Sequence, residues 1–363
     1  MTVLRDGRRT VRPASSASVR SMTASSSTRT TDSPHRLAHE ELRSLCEAAV
    51  RGAGGSADMA SALARATVDA EARGKTAVGA AHLPDYLDAL RSGRLDGAAE
   101  PRVTGSRAAA LTVDAANGTA QQAFESVIDD LVGRARDAGV AVLSIHRSFT
   151  AGELGYYARR LAAQGLIALT GSNSPALVSV HGAREAVTGT NPMAFALPHP
   201  DGPRMFDQAA SATAWVNVRA AADRGEAIPD GWALDPQGEP TTDAAAGMLG
   251  ALLPFGGAKA ANIALMIELL AVLSGGEFSL DAAPFDAGED PPSVGLFAVA
   301  IDPTAFDPGY VDRAEEHLQR LTAEHGVDFG RRKTPQSHID LSRDVYEALA
   351  RSIPADTAQE GAS

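Results

Sequence analysis

VAVLSIHRSFTAGELGYYARRLAAQGLIALTGSN, residues 140–173, carries the reading that decides the fold. VAVLSI (140–145) is a short, almost unbroken apolar run, as a buried strand requires, and GLIALTGSN (165–173) is a second. Between them the texture predicts a helix from Gly152 to Ala163. Working outward, ALTVDA (110–115) predicts a strand, and Gln121 to Ala138 a helix closed by Gly139. MAFALP (193–198) and RMFDQA (204–209) predict two more strands, Gly256 to Leu273 a long helix, and GLFAVAID (295–302) a further strand. Alternation of this kind argues for an α/β sheet covered by helices, spanning 109–304.

Upstream the pattern is all helical. Leu37, Leu42, Leu45, Ala49 and Val50 keep a helical spacing that Gly52 to Gly55 stop. Ser56 reads as the N-cap of a second helix through Arg73, and Pro84 sits in the first turn of a third, Leu83 to Arg91. Residues 35–108 therefore form a helical module, completed by 305–354 with amphipathic helices at Tyr310–Glu324 and Leu341–Arg351. Residues 1–34 are rich in Ser, Thr and Arg and nearly devoid of large apolar side chains, so burial cannot offset their ordering entropy. They read as a disordered arm, with a true start near Met22, or as a targeting peptide. Residues 355–363 read as a flexible tail.

With 33 basic against 45 acidic residues the formal net charge is −12, which repels a phosphate backbone or an anionic leaflet. Nucleic acid and membrane are not expected partners. The most apolar stretch, Asn262 to Leu273, contains Glu268 and falls short of the roughly 20 residues needed to span a bilayer. Cys46 is the only cysteine, so no internal disulfide forms and no Cys/His cluster offers a metal site; a reducing, cytoplasmic setting is expected. No GxGxxG follows a strand and Lys259 is followed by Ala260 rather than Ser or Thr, which excludes the Rossmann fingerprint and the P-loop alike. Any nucleotide must bind in another fold.

Four ordered phrases remain: residues 165–198 with TGTNP at 188–192, MFDQAASATA (205–214), IPDGWALDPQGEPTTDA (228–244) and LLPFGGAKAANIALMIELLAVLSGG (252–276). Together they resemble the type-2 malate/L-lactate/L-sulfolactate dehydrogenase family, over about residues 37–350. That family includes ureidoglycolate dehydrogenase, diketogulonate reductase and piperideine-2-carboxylate reductase. The resemblance implies a non-Rossmann NAD(P)-binding α/β fold, a homodimer, and an active site between a helical module and the cofactor domain. It assigns cofactor contacts to Asn173 and Ser174, to Asp207, Ala209 and Ser211, and to Lys259, while Gln208 and Ala210 depart from the motif. A lysine at a helix start combines a point charge with the helix dipole, which suits a pyrophosphate; the alternative for Lys259 is a solvated cation. The cofactor is thus NAD(P)H, with NADH or NADPH left open.

The departures carry as much information. Where the family has Arg-Gly-x-x-Ser-His-Gly-x-x-Arg-Leu-Pro-x-Tyr, this chain reads RGKTAVGAAHLPDY (73–86): Val78 stands for the acid/base histidine, Ala77 for the serine and His82 for the arginine, while Tyr86 is kept. In RSFTAG (147–152), Thr150 stands where some members have a second histidine, with Ser148 in register. Asn217 replaces a cofactor-region lysine, and the family's late Pro-Gly-Glu turn is not evident in RRKTPQSH (331–338). Ketone reduction needs a proton at oxygen as hydride arrives, and general-acid help is worth about a hundred- to ten-thousand-fold. An iminium already carries its proton. The expected activity is therefore NAD(P)H-dependent reduction of a small carboxylated or cyclic imine in biosynthesis, with His82, Thr150 and Tyr86 as catalytic candidates and Ser148 and Val78 lining the substrate side. The alternative is a redox-inactive member serving as a binding or assembly subunit, or catalysing a non-redox step. His82 is one helical turn from Val78 and either fills the vacated space or stays a surface imidazole, and Tyr86 either donates or caps the pocket. His146 reads as a core histidine, His181 as a packing residue, and Asp114, Asp235 and Asp243 as turn and cap residues.

Overall fold

The computed structural model describes residues 34–330 and 335–354; the arm through Ser33 and the tail from 355 onward lie outside the described residues. The chain opens with β1 (His35–Ala38), α1 (His39–Gly52), α2 (Ala57–Ala72) and α3 (Leu83–Ser92). Ser56 caps α2 by accepting from the Met59 N–H, and Gly93 closes α3 in the left-handed conformation. β2 (Arg102–Arg107), β3 (Ala110–Asp114), α4 (Ala120–Glu125), α5 (Ile128–Ala138), β4 (Val140–Ser148), α6 (Leu154–Ala162) and β5 (Ile167–Ser172) follow. Next come β6 (Met193–Leu197), β7 (Arg204–Gln208), α7 (Trp215–Arg224), β8 (Ala233–Leu234), β9 (Pro240–Thr241), α8 (Ala244–Leu249), β10 (Ala251–Leu252), α9 (Ala258–Ala271) and β11 (Val294–Ile301). The last are α10 (Tyr310–His325), β12 (His338–Leu341) and α11 (Arg343–Ala350).

The main sheet has seven strands in the order β2-β3-β4-β11-β5-β6-β7. Only β3 and β4 run parallel; every other pair is antiparallel. Its middle strands are apolar on both sides because helices cover both faces. On one face, α4, α5 and α6 bury Phe124, Leu131, Tyr157 and Leu161 against Leu143, Ala168 and Ala298. On the other, Ile267 of α9 reaches Gly171, where an added Cβ would strike the Phe297 ring. A second core gathers α1, α2, α3 and α11 around Leu42, Cys46, Leu63 and Leu87, with β1 paired to β12 across 300 residues of chain. A third, around Val178, Val218 and Leu252, holds α7, α8 and the small β10-β8-β9 sheet.

The structure corrects the sequence reading in places. The predicted helix 121–138 is two helices, because Val127 leaves helical geometry at φ −131° and the Ser126 hydroxyl bonds back to the Ala123 carbonyl. β2 was not legible since almost every one of its side chains is exposed. The elements between Trp215 and Leu252 were missed because most are too short to show a period. β12 takes the start assigned to the final helix.

Phe124 is fully buried and meets Tyr157 edge-on at 5.0 Å. Phe124→Ala should cost about 3–5 kcal/mol, read as a lower urea midpoint. A midpoint unchanged from the parent would show that this layer is not the core.

Candidate functional site

Three segments distant in sequence meet at Asp207. Its Oδ2 accepts from Lys75 Nζ at 3.0 Å and from the Gly155 backbone N–H at 3.0 Å, tying β7 to the 73–86 stretch and to the first turn of α6. Lys75 Nζ lies 2.8 Å from Glu153 Oε1, and Glu153 takes two bonds from the Arg159 guanidinium, at 2.9 and 2.6 Å. Arg159 also pairs with Asp69. Burial alone would raise the Glu153 pKa, but Arg159 and then Lys75 outweigh it and hold it down to about 2. For Lys75, burial works against the charge, yet Asp207 and Glu153 prevail and keep its pKa above the ordinary lysine value. Lys75, Arg159 and Asp207 border an open cavity of about 780 Å³, which lies within the size range of small-molecule pockets.

Of the substrate-side candidates, His82 packs against Tyr86. Its hydroxyl accepts from Gln121 Nε2 at 3.0 Å, and its ring lies 5.8 Å from Phe149 and 5.1 Å from His82. Burial pushes the phenol up to about 12, so it is protonated at neutral pH. Thr150 is buried beside it, and its Oγ1 accepts from the Gly152 N–H at 3.4 Å. His82 is half-buried at the N-cap of α3, with Nδ1 2.8 Å from Asp85 Oδ2. Val78 is exposed. Ser148 is fully buried and donates to the Val294 carbonyl, so its hydroxyl serves the β4–β11 contact.

The cofactor-side candidates form a continuous run. Ser174 Oγ accepts from the Thr190 N–H at 3.1 Å, and the Ala210 N–H donates to the Thr190 carbonyl. The Phe255 N–H in turn donates to the Ala210 carbonyl, next to a bridge between Ser211 and Pro254. Gly189 is required in this run, since any side chain there would strike Ser174 Oγ. Ala209 is half-buried beside Asp207, and Ser211 Oγ donates to the Thr213 carbonyl at 2.7 Å. Asn173 spends both ends of its amide on the backbone, Nδ2 on Glu277 O and Oδ1 on Gly295 N, so it ties the end of β5 to β11. Lys259 is exposed in the first turn of α9, after Gly256 and Gly257 at positive φ, and no side chain caps that helix.

The other candidates lie elsewhere. Asp243 caps α8, Asp235 closes a turn through Gln237 N, and Asp114 takes two bonds from Arg147. His146 Nδ1 rests on Ser274 Oγ at 3.2 Å, and burial lowers its pKa. Asn217 donates to Thr213. Among the described residues no group of three or more His, Cys, Asp and Glu could hold a metal ion, and no helix is long and apolar enough to cross a membrane. The sequence reading missed Lys75, Glu153, Arg159 and Gln121. Lys75 had one signal, being one of three lysines in the chain and inside a motif; the other three had none.

Residues 37–338 match the model of the malate/L-lactate dehydrogenase family. The chain belongs to that family. It is 38% identical over 292 residues to a (2R)-3-sulfolactate dehydrogenase (NADP(+)) of Chromohalobacter salexigens, covering 79% of this chain and 87% of the relative. It is 39% identical over 296 residues to a Δ1-pyrroline-2-carboxylate/Δ1-piperideine-2-carboxylate reductase of Pseudomonas putida, covering 79% and 86%. The crystal structure of the Δ1-piperideine-2-carboxylate reductase of Pseudomonas syringae pv. tomato superposes with a TM-score of 0.77 at 36% identity, over 88% of this chain and 94% of that one. The family member described here is an NAD(P)-dependent oxidoreductase with a mixed α/β fold. Its residues fit such a cofactor: the uncapped start of α9 beside the exposed Lys259 offers backbone N–H groups and a cation to a pyrophosphate.

Because its folded pKa lies below the usual glutamate value, Glu153 contributes stability that is fully present above about pH 4.5 and is lost as pH falls towards 2. Glu153→Gln should cost about 3–5 kcal/mol at neutral pH by leaving Arg159 and Lys75 short of a buried acceptor. The gap in urea midpoint between variant and parent should narrow on acidification from about pH 5 to about pH 3. A gap independent of pH would contradict the pairing.

Proposed function

We propose that this enzyme reduces the C=N bond of a small cyclic imine that bears a carboxylate. What supports the reading is the chemistry at the positions that the resemblance gives to proton donors, where the chain has an aliphatic Val78 and a buried Thr150, with a phenol held protonated at Tyr86. The imidazole in that stretch, His82, is engaged with Asp85. When bound, a reduced nicotinamide would supply the hydride. Lys259 and the α9 N-terminus would hold its diphosphate, and the Ser174–Thr190–Ala210 run would support it. An iminium brings its own proton, so neutral hydroxyls are enough to orient it. The imine reductases among the relatives support this choice over a keto acid.

Turnover with Δ1-pyrroline-2-carboxylate or Δ1-piperideine-2-carboxylate should exceed that with pyruvate, oxaloacetate or sulfopyruvate at equal concentration. Lys259→Ala should weaken cofactor affinity about tenfold or more, measured by fluorescence titration, through loss of a charge-assisted contact. His82→Ala should leave that affinity unchanged. Cofactor binding without turnover of any imine would favour a redox-inactive binding subunit.

We also propose a homodimer. Past its first turn α9 is apolar apart from Asn262 and the buried Glu268, yet Met266 and Leu269, with Leu273 just beyond its end, are 46%, 62% and 62% exposed in the single chain, and Leu265 lies beside them. A helix of that composition is a buried one. Past Lys259 in the first turn the face carries no charge in a protein of net charge −12, so a second copy of the same face suits it better than a charged partner. Sedimentation should give the mass of two chains at micromolar concentration, and Leu269→Asp should give one. A parent that sediments as one chain would overturn the dimer.

A further inference from the structure

The two cations at the end of α2 carry donors that the reading above leaves unused. Gly74 closes that helix at φ +67°, with its own N–H on the Glu71 carbonyl and the Lys75 N–H on the Ala70 carbonyl. This pair of bonds is a Schellman closure, and the residues on either side of its glycine, Arg73 and Lys75, both line the cavity of about 780 Å³. A lysine ammonium has three N–H groups. Glu153 Oε1 takes one at 2.8 Å and Asp207 Oδ2 another at 3.0 Å; the third has no partner among the described residues, and the side chain is 32% exposed. Arg73 spends Nη1 on the carboxylate and the backbone carbonyl of Asp69, and its Nε and Nη2 have no partner among the described residues. Arg73 shares Asp69 with Arg159, and Lys75 shares Glu153 with it, so the two unused donor sets flank one guanidinium. That guanidinium is itself fully engaged, with Asp69, Glu153 and Met205 Sδ.

The placement of the acids decides what these donors can take. Arg73, Lys75 and Arg159 stand in the cavity wall with Asp207, whereas Asp69 and Glu153, which complete their neutralisation, are not part of it. Of the other charged groups in the wall, Arg204 is paired with Asp328, and Asp201 adds one more carboxylate. Three cations against three carboxylates leave the cluster neutral, so it suits one negative charge better than the two of a phosphate monoester. We propose that Lys75 and Arg73 bind the carboxylate of the substrate at this wall, the third ammonium N–H of Lys75 making the central contact. The substrate class rests on the imine-reductase reading. Burial opposes the charge of Lys75, but Asp207 and Glu153 keep its pKa above the ordinary lysine value, so the contact persists into mildly alkaline solution.

The test is calorimetric binding of pyrrole-2-carboxylate, a planar and non-reducible carboxylated ring, to the full chain saturated with NADP⁺, with pyrrole-2-carboxamide as the uncharged probe. The parent should favour the carboxylate about tenfold or more. Lys75→Met should weaken it about ten- to a hundredfold and abolish that preference. Arg73→Lys keeps a cation beside Asp69 but loses the unused guanidinium N–H groups; it should weaken the carboxylate about threefold or more and leave the amide unchanged, and it decides the matter should Lys75→Met not fold. Affinity of the parent should stay level from about pH 6 to about pH 9, where a site built on an imidazole would lose it. Affinities for NADH and NADPH should not change in either variant. Equal binding of the two probes by the parent, carboxylate affinity undiminished in the folded variants, a fall in affinity through neutral pH, or a loss confined to NADPH, which would assign the donors to its extra phosphate, would each overturn the proposal. Failure of the parent to reduce any imine, with this binding pattern intact, would instead overturn the assigned reaction.

Discussion

A single carboxylate, that of Asp207, holds the two halves of the site in register. It receives Lys75 from the segment leading into α3 and the Gly155 N–H from α6, while its own strand continues within three residues into the Ala210–Ser211 run. Without it, Glu153 alone among the described residues would pair with Lys75. The bond to a backbone amide at a helix start adds a second constraint, because the dipole of α6 favours negative charge at that end. Electrostatics here does positional work. The charges of Asp69, Lys75, Glu153, Arg159 and Asp207 interlock through buried or half-buried partners, and breaking one leaves another uncompensated.

The main strands and α9 were legible because their signal is local. A strand buried on both faces must be apolar along its length, and VAVLSI and GLFAVAID are. The cofactor-side candidates rest on a different signal: Ser174, Asp207, Ser211 and Lys259 lie in ordered motifs whose resemblance implies a role that spacing alone does not. What stayed hidden is pairing across the chain. Lys75 and Glu153 are 78 positions apart, and Gln121 meets Tyr86 from a separate helix, so no window of sequence contains either contact. Asn173 shows the converse, since its side chain braces Glu277 and Gly295, a task that the motif does not reveal.

The absent histidines change the kind of chemistry the cleft can favour more than its architecture. An imidazole titrates near neutral pH and can give up its proton, whereas a buried tyrosine with a pKa near 12 keeps its own. At the positions that the resemblance gives to those histidines the chain carries an aliphatic side chain and a neutral hydroxyl, Val78 and Thr150. Neutral groups orient and discriminate, and under the proposed reaction they suffice, because an iminium substrate already carries the proton that a ketone would have to take from a general acid.

α9 ties this cleft to the rest of the molecule. Its first turn presents Lys259; its middle buries Glu268, which takes Thr188, Asn191 Nδ2 at 3.0 Å and the Ser279 N–H at 3.0 Å; its outer side carries the exposed leucines. Glu268 thereby sets the 188–191 loop, where Asn191 is held at φ +35° and Gly189 packs on Ser174. A charged residue in the middle of an apolar helix is costly unless its partners are complete, and here every partner belongs to the wall that supports the cofactor-side run. The residue that interrupts the hydrophobic stretch in the sequence is the one that connects the helix core to that run.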